Sequence, residues 1–260
     1  MELRGAIVVV TGASSGIGEA TAVAFAERGA TVVVAGRRRD RLDALAARIE
    51  GGGGTALAVR CDVTEPGELV SLAAVVDETF GRTDVLVSNA GVPGGRFDDL
   101  AVDEIRHVVD VNLLGVLYGA HAFVPQMRRR GRGHIVNVAS LAGRFAAPGA
   151  EVYTATKHAV VAFSESLHLA TARDGVSVTA VNPGFVRTEG FRAGGVPDPF
   201  VLDMDRVSGA IVRVVRDGIA PEYSVPRWVA PLQAFRVLTP PLYRWGMRTI
   251  ADAARRRSGR

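Results

Sequence analysis

The chain has 260 residues, 48% of them apolar, which is material for one large core and fits a single α/β domain. Its one cysteine, Cys61, excludes an internal disulfide and a cysteine-cluster metal site, so a protein of a reducing compartment, cytoplasmic and without a metal, is expected. The net charge of +4 is concentrated: from Glu222 to Arg260 eight arginines face two carboxylates, a local balance of +6 that leaves −2 for residues 1–221, and a basic tail on a mildly acidic body is not a nucleic-acid groove.

In chain order, the apolar run Ala6–Val10 reads as a strand and Glu19–Arg28 as a helix, joined by the glycine-rich Thr11–Gly18. The first run ends at Gly12 without the charged start and long apolar stretch of a signal peptide, and no 18 uncharged apolar residues run together to mark a membrane span. Thr31–Ala35 is a β-branched run suited to a buried parallel strand, followed by a charged helix from about Asp40 to Ile49 and a glycine loop from Gly51 to Gly54. Ala56–Val63 is the third strand, Glu65–Phe80 a helix started near Pro66, and Asp84–Ser88 the fourth strand. Val102 to about Met127 is expected as one long helix disturbed at Pro125; His134–Ser140 is the fifth strand, Val152–Arg173 a helix and Val176–Val181 the sixth strand. Asp203–Asp217 is a helix and Glu222–Val225 a short seventh strand. This alternation predicts a doubly wound, Rossmann-like parallel sheet over residues 1–225, with residues 226–260 as a C-terminal extension.

In such sheets ligands sit beyond the carboxyl ends of the strands. Gly12, Gly16 and Gly18, with Ser14, Ser15 and Ile17 among them, form a loop whose backbone can approach an anion at a helix N-terminus; a tight strand-to-helix turn without a ligand is the alternative. After the second strand, where a carboxylate would select NAD through the ribose 2′-hydroxyl, stand Gly36, Arg37, Arg38 and Arg39. Guanidinium forks suit a 2′-phosphate, so Arg37, with Arg38 as a second contact, points to NADP(H) rather than NAD(H). Asp62 and Val63 follow the third strand as candidates for the adenine, Asn89, Ala90 and Gly91 follow the fourth near a nicotinamide ribose, and Asn182, Pro183 and Gly184 follow the sixth. Each group alone is compatible with turn chemistry.

The chemical centre is Tyr153 with Lys157, four residues apart on one helix face. A free phenol has a pKa of about 10, and a neighbouring ammonium is expected to lower it into a useful range. Lys157 is the only lysine among the 31 basic residues, which argues against a merely solvated charge. Ser140, 13 residues before Tyr153, can orient a carbonyl, so the three together read as a site of carbonyl reduction or alcohol oxidation on a small molecule.

These residues resemble the short-chain dehydrogenase/reductase family over about residues 5–225: TGASSGIG from Thr11, Asp62, Asn89-Ala90-Gly91, Asn112, Ser140, the Tyr153 and Lys157 pair, and Pro183-Gly184 followed by Thr188. The resemblance implies Tyr153 as general acid/base, Ser140 as the substrate-orienting hydroxyl, Lys157 as the ribose-binding residue that lowers the tyrosine pKa, and Asn112 as the water-holding member of a proton relay. It also implies that Val186 and Thr188 contact the carboxamide, that Ser14 and Ile17 lie in the cofactor loop and that Glu189–Leu202 is a mobile lid. Phe145 and Phe191, with Leu141, Val92, Phe200, Val201 and Leu202, suggest an apolar substrate pocket; a lid tucking its apolar side onto the protein is the alternative. Asn137 reads as structural.

A homo-oligomer is expected through the long helices, with Val116, Tyr118, Phe123, Val161 and Phe163 as core or interface residues. In the extension, a helix from Pro241 gathers Leu242, Trp245, Thr249, Ile250 and Ala253 on one side and Arg244, Arg248 and Arg255 on another. Two readings stay open for it: peripheral membrane contact, or packing across the cleft or a partner subunit. A cofactor-binding module without turnover, or a protein acting by membrane docking through this tail, are the rival functions.

Overall fold

The computed structural model describes residues 1–187 and 201–258. Its strands and helices alternate as β1 (Ile7–Thr11), α1 (Gly16–Ala26), β2 (Thr31–Gly36), α2 (Arg39–Gly51), β3 (Thr55–Arg60), α3 (Pro66–Phe80), β4 (Val85–Ser88), α4 (Val102–Val109), α5 (Gly115–Arg130), β5 (Gly133–Val138), α6 (Glu151–Thr171) and β6 (Val176–Pro183). There follow the short β7 (Phe185–Val186) and β8 (Val201–Leu202), then α7 (Met204–Asp217), β9 (Glu222–Val225), α8 (Leu232–Leu238) and α9 (Pro240–Ser258). Seven strands pair in parallel in the order β3-β2-β1-β4-β5-β6-β9, the expected doubly wound sheet. The reversal of winding between β1 and β4 opens a crevice at the carboxyl ends of those strands.

The central strands β1, β2 and β4 are apolar on both faces because helices cover both. Val8 and Val10 of β1 pack with Phe25, Leu42 and Ile211 in the layer of α1, α2 and α7, whereas Ile7 and Val9 pack with Leu72, Val76, Phe123 and Met127 in the layer of α3 and α5. Buried Asp84 ties β1 to the rim of β4: it accepts from the Ile7 N–H at 2.9 Å and from Arg130 and Arg82 at 2.9 and 3.0 Å. Burial pushes the Asp84 carboxyl up, but these hydrogen bonds outweigh it and hold it below the usual carboxylate range.

The single long helix expected from Val102 is two helices joined by a π turn at Asp110–Leu114, and the disturbance falls at Asn112 rather than at Pro125, which α5 accommodates. The cause is the side chain of Asn112, fully buried and turned onto the backbone of Val92. The path from Val102 to Arg130 is long and apolar enough to cross a membrane, but half of its most apolar stretch is buried inside the fold, as in a core helix. The third strand also ends earlier than expected, at Arg60, which leaves Asp62 and Val63 in the turn beyond it. Of the candidate interface residues, Phe123, Val116 and Val161 belong to the core, while Tyr118 and Phe163 are only partly buried. Cys61 is buried, and burial pushes its thiol up to about 12.

Candidate active site

The cofactor end is shaped by backbone. Gly12 has φ +64°, and a Cβ there would lie 2.7 Å from the Cα of Ala90, so only glycine lets the β1–α1 loop lie against the β4 loop. Asn89 braces that contact: its Nδ2 donates to the carbonyls of Thr11 and Gly12 at 3.1 and 3.2 Å, and the hydroxyl of Thr11 lies 3.1 Å from the Asn89 backbone N–H. Asn89 therefore acts through its side chain on the loop. Ser14 is buried, whereas Ser15, Ile17 and the Cα of Gly16 remain at least partly accessible at the start of α1.

Arg37 and Arg38 are both exposed after β2, but only Arg38 has hydrogen bonds to the glycine loop: Nε and Nη2 donate to Ser14 Oγ at 3.0 and 2.8 Å, and Nη2 to Ser15 Oγ at 2.7 Å. Arg37 lies towards Asp62, whose carboxylate accepts from the N–H and hydroxyl of Thr64 at 3.1 and 2.9 Å. Burial pushes Asp62 up, but the Thr64 hydrogen bonds and the charges of Arg37 and Arg60 hold it below the usual range. Val63 is buried under the Cα of Gly115. A glycine cradle that a Cβ would fill, a helix N-terminus and an arginine fork over two serine hydroxyls fit the diphosphate and ribose of a dinucleotide.

The reactive residues meet between β4, β5 and α6. Ser140 starts the turn after β5, its Oγ accepting from the Ala142 N–H at 3.1 Å, and its hydroxyl also hydrogen-bonds Tyr153. The turn can sit on α6 because residue 143 is glycine: a Cβ there would lie 2.6 Å from the carbonyl oxygen of Lys157. Lys157 is 3% exposed; its Nζ donates to the Val138 carbonyl at 2.9 Å and stands 5.6 Å from the centre of the Tyr153 ring. One of its three N–H donors is used there, leaving two for acceptors in the cleft. Asn112 closes the same space from the π turn, exchanging hydrogen bonds of 2.8 and 2.9 Å with the N–H and carbonyl of Val92, with its Oδ1 on the side of Gly91 that faces Lys157.

The tyrosine pKa departs from expectation. Burial raises it, and the Ser140 hydrogen bond, which lowers it, does not compensate. Lys157 does not offset the rise because burial destabilises its own charge and lowers it to about 8. Tyr153 is thus held as a phenol at neutral pH, and Lys157 is an ammonium only below about 8.

Pro183 is buried and Gly184 lies against Leu141 of the Ser140 turn, with Val186 buried in β7 beside them. Phe145 is half-buried at the end of that turn. Thr188, Phe191 and Phe200 lie outside the described residues, as does most of the expected lid; its end, Val201–Leu202, pairs in parallel with Phe185–Val186. Asn137 is structural, its Nδ2 donating to Ser164 Oγ at 2.9 Å. No cluster of His, Cys, Asp or Glu suited to a metal occurs among the described residues.

A second set of residues, with no local signal in the sequence, holds the substrate end. Glu222 at the start of β9 is paired with Arg144, just past the Ser140 turn, and accepts from Asn182 at 2.6 Å and Gln233 at 3.1 Å. Arg236 of α8 donates to the Arg144 carbonyl and approaches His158 Nε2 at 2.7 Å, next to Lys157. The Ala146 N–H donates to the Tyr243 hydroxyl of α9 at 2.9 Å. The extension therefore packs on the loop that carries Ser140, in line with the packing alternative. The side chains of Ile250, Ala253 and Arg255 lie outside the described set.

Comparison with known proteins adds three findings. The sequence model of a family described as short chain dehydrogenase matches residues 6–194. An uncharacterized oxidoreductase of Staphylococcus saprophyticus is 42% identical over 186 residues, 70% of this chain and 75% of its own, and one from Staphylococcus aureus strain N315 is 37% identical over 207 residues, 79% and 89% of the two chains. Among solved structures, a variant actinorhodin polyketide ketoreductase with NADPH superposes with a TM-score of 0.79 at 31% identity, covering 85% of this chain and 95% of its own. A short chain dehydrogenase/reductase from Burkholderia phymatum in complex with NAD gives a TM-score of 0.83 at 27% identity over 93% and 96%.

Proposed function

The chain belongs to the short-chain dehydrogenase/reductase family and is a nicotinamide-dependent oxidoreductase, and from that premise we propose that it interconverts a carbonyl and a secondary alcohol on an apolar small molecule, with NADP(H) preferred over NAD(H). The observation that carries the reading is the meeting of the Ser140 hydroxyl with the Tyr153 phenol beside the buried ammonium of Lys157. A nicotinamide held in this cradle would supply or accept the hydride. Tyr153, kept protonated by its burial, holds the proton that a carbonyl oxygen takes up in the reducing direction. Ser140 orients that oxygen, Lys157 holds the ribose hydroxyls with its free donors, and Asn112, on the Lys157 side of Gly91, holds the water that completes the proton relay.

The preference for NADP(H) is supported by the arginine pair after β2, where Gly36 stands in place of an NAD-selecting carboxylate at the strand end, and by the reach of Arg38 across Ser14 and Ser15. The two structural neighbours carry one cofactor each, NADPH and NAD, and so do not decide it. An apolar substrate is supported by Leu141, Phe145 and Val92 around the mouth. A homo-oligomer is supported by a surface depression between α5 and α6 lined by Leu117, Val124, Phe163 and Leu167; light scattering that finds only a 27.4 kDa species overturns that part. The buried, weakly acidic Cys61 suits the cytoplasm.

The test is NADPH consumption over a panel of ketones. Tyr153→Phe is expected to lower turnover by at least about 100-fold while NADPH binding stays near wild type, since it removes a proton donor and little volume. A Tyr153→Phe variant that still turns over sinks the mechanism, and turnover by the wild type removes the reading as a silent cofactor-binding module.

A further inference from the structure

The C-terminal extension is folded with its polar contacts inward and much of its apolar surface outward. Gln233, Arg236 and Tyr243 make the contacts to the body, through Glu222, the Arg144 carbonyl and the Ala146 N–H. Trp228, Leu232, Val237, Leu238, Leu242 and Trp245 are exposed, Val237 at 74%, Leu238 at 77% and Trp245 at 67%. Single exposed apolar side chains are ordinary. Here six fall between residues 228 and 245, whereas the other seven large exposed apolar residues among those described are scattered from Val70 to Met204. Such a concentration marks a surface that is covered in use.

Its charge indicates what covers it. Between Glu222 and Asp252 the sequence carries Arg227, Arg236, Arg244 and Arg248 and no carboxylate. Arg227, Arg244 and Arg248 are exposed among the tryptophans and leucines. A second copy meeting this face about a two-fold axis would set arginines against arginines. A surface offering apolar depth under a layer of negative charge answers both features, and tryptophan with arginine is the pairing that suits the boundary between acyl chains and anionic headgroups.

We propose that the exposed face of α8, α9 and the preceding Trp228 turn docks on an anionic lipid bilayer, and that the enzyme takes a bilayer-dissolved ketone or alcohol as substrate. The second half rests on the oxidoreductase reading above. The link between the halves is geometric: α8 and α9 grip the turn that begins at Ser140, through Arg236 and Tyr243, so a chain seated on this face holds the substrate end of its cleft close to the membrane.

The experiment is co-sedimentation of the full chain with vesicles of phosphatidylglycerol and phosphatidylcholine, against vesicles of phosphatidylcholine alone, at low and high salt. Wild type is expected to pellet with the anionic vesicles and to be released by salt. Leu238→Glu with Trp245→Glu is expected to weaken that binding at least tenfold, and Arg244→Glu with Arg248→Glu to do the same, both with NADPH binding unchanged as a check on folding. A wild type that stays in the supernatant with anionic vesicles at low salt overturns the proposal. So does vesicle binding that survives in both folded variants, or light scattering in which either variant alone splits an oligomer, which makes the occupant a second copy. Vesicle binding needs no turnover, so a chain that docks but reduces no ketone refutes the oxidoreductase reading and not the docking.

Discussion

The two ends of the cleft are held by different means. At the cofactor end, Gly12 on Ala90 and Asn89 on Thr11 and Gly12 join loops that emerge from strands two places or fewer apart in the sheet, and backbone shape does most of the work. At the substrate end, the Ser140 turn is held by charged and polar side chains: Glu222 pairs with Arg144, Arg236 donates to the Arg144 carbonyl and the Tyr243 hydroxyl accepts from the Ala146 N–H. A backbone-built site fails sharply when its shape is altered, whereas one tied by side chains loosens by degrees. The cofactor end is thus the half set by shape and the substrate end the half set by side-chain ties.

The sharpest break is expected at Gly12. In Gly12→Val a branched side chain must enter a left-handed conformation against the Cα of Ala90, so NADPH affinity should fall by more than about 100-fold and stability by about 3 kcal/mol, read by fluorescence titration and thermal melting. Glu222→Gln is expected to act on the other half alone. It leaves Arg144 without its counter-charge, and turnover should drop about tenfold, near 1.4 kcal/mol of barrier, with the NADPH dissociation constant unchanged. If cofactor affinity falls in step with turnover, the two ends are not separable.

Arg38→Ala sharpens the comparison within the cofactor half. It removes a fork and leaves the glycine cradle intact, so NADPH should bind about tenfold more weakly while NADH changes little. Equal loss for both cofactors would assign Arg38 to loop structure instead. The smallest effect concerns pH. Burial lowers Lys157 from its ordinary 10.5 to about 8, so its ammonium is present below that pH and lost above it. Carbonyl reduction should hold steady below about pH 8, reach half its plateau there and decline beyond. The same shift makes the unfolded chain the better proton binder between about 8 and 10.5, so this group adds stability as pH rises through that window, measurable as a rise in Tm relative to Lys157→Met.

What could be read from the sequence follows the same division. The seven strands, the glycine loop and the Tyr153–Lys157 face depend on spacings of a few residues, and local periodicity carries them. Arg236 on Arg144 and Tyr243 on Ala146 depend on how the extension folds back, which no local pattern encodes. Arg37 and Arg38 are neighbours in sequence, and which one turns onto Ser14 is decided by the entry into α2. An i, i+4 pair shows the proximity of a cation but not the burial of both partners, and it is burial that sets the direction of the Tyr153 shift. Proline drew the helix disturbance to position 125, although the stronger influence is an asparagine whose partner, the backbone of Val92, lies 20 residues upstream.

The π turn at Asp110–Leu114 has a consequence for what evolution or design can change. A π turn takes one residue beyond the α-helical count and absorbs its roughly 100° of azimuth as a local bulge, so the helix on either side keeps its facing. Asn112 and the buried side chains of α5 are therefore set at independent angles on one rod: Asn112 meets the cleft, while Phe123 and Met127 still meet the sheet. Deleting a single residue between 110 and 114 would remove the bulge and leave Phe123 and Met127 on the sheet while taking Asn112 off the backbone of Val92, so the extra residue of this stretch serves the cleft and not the core.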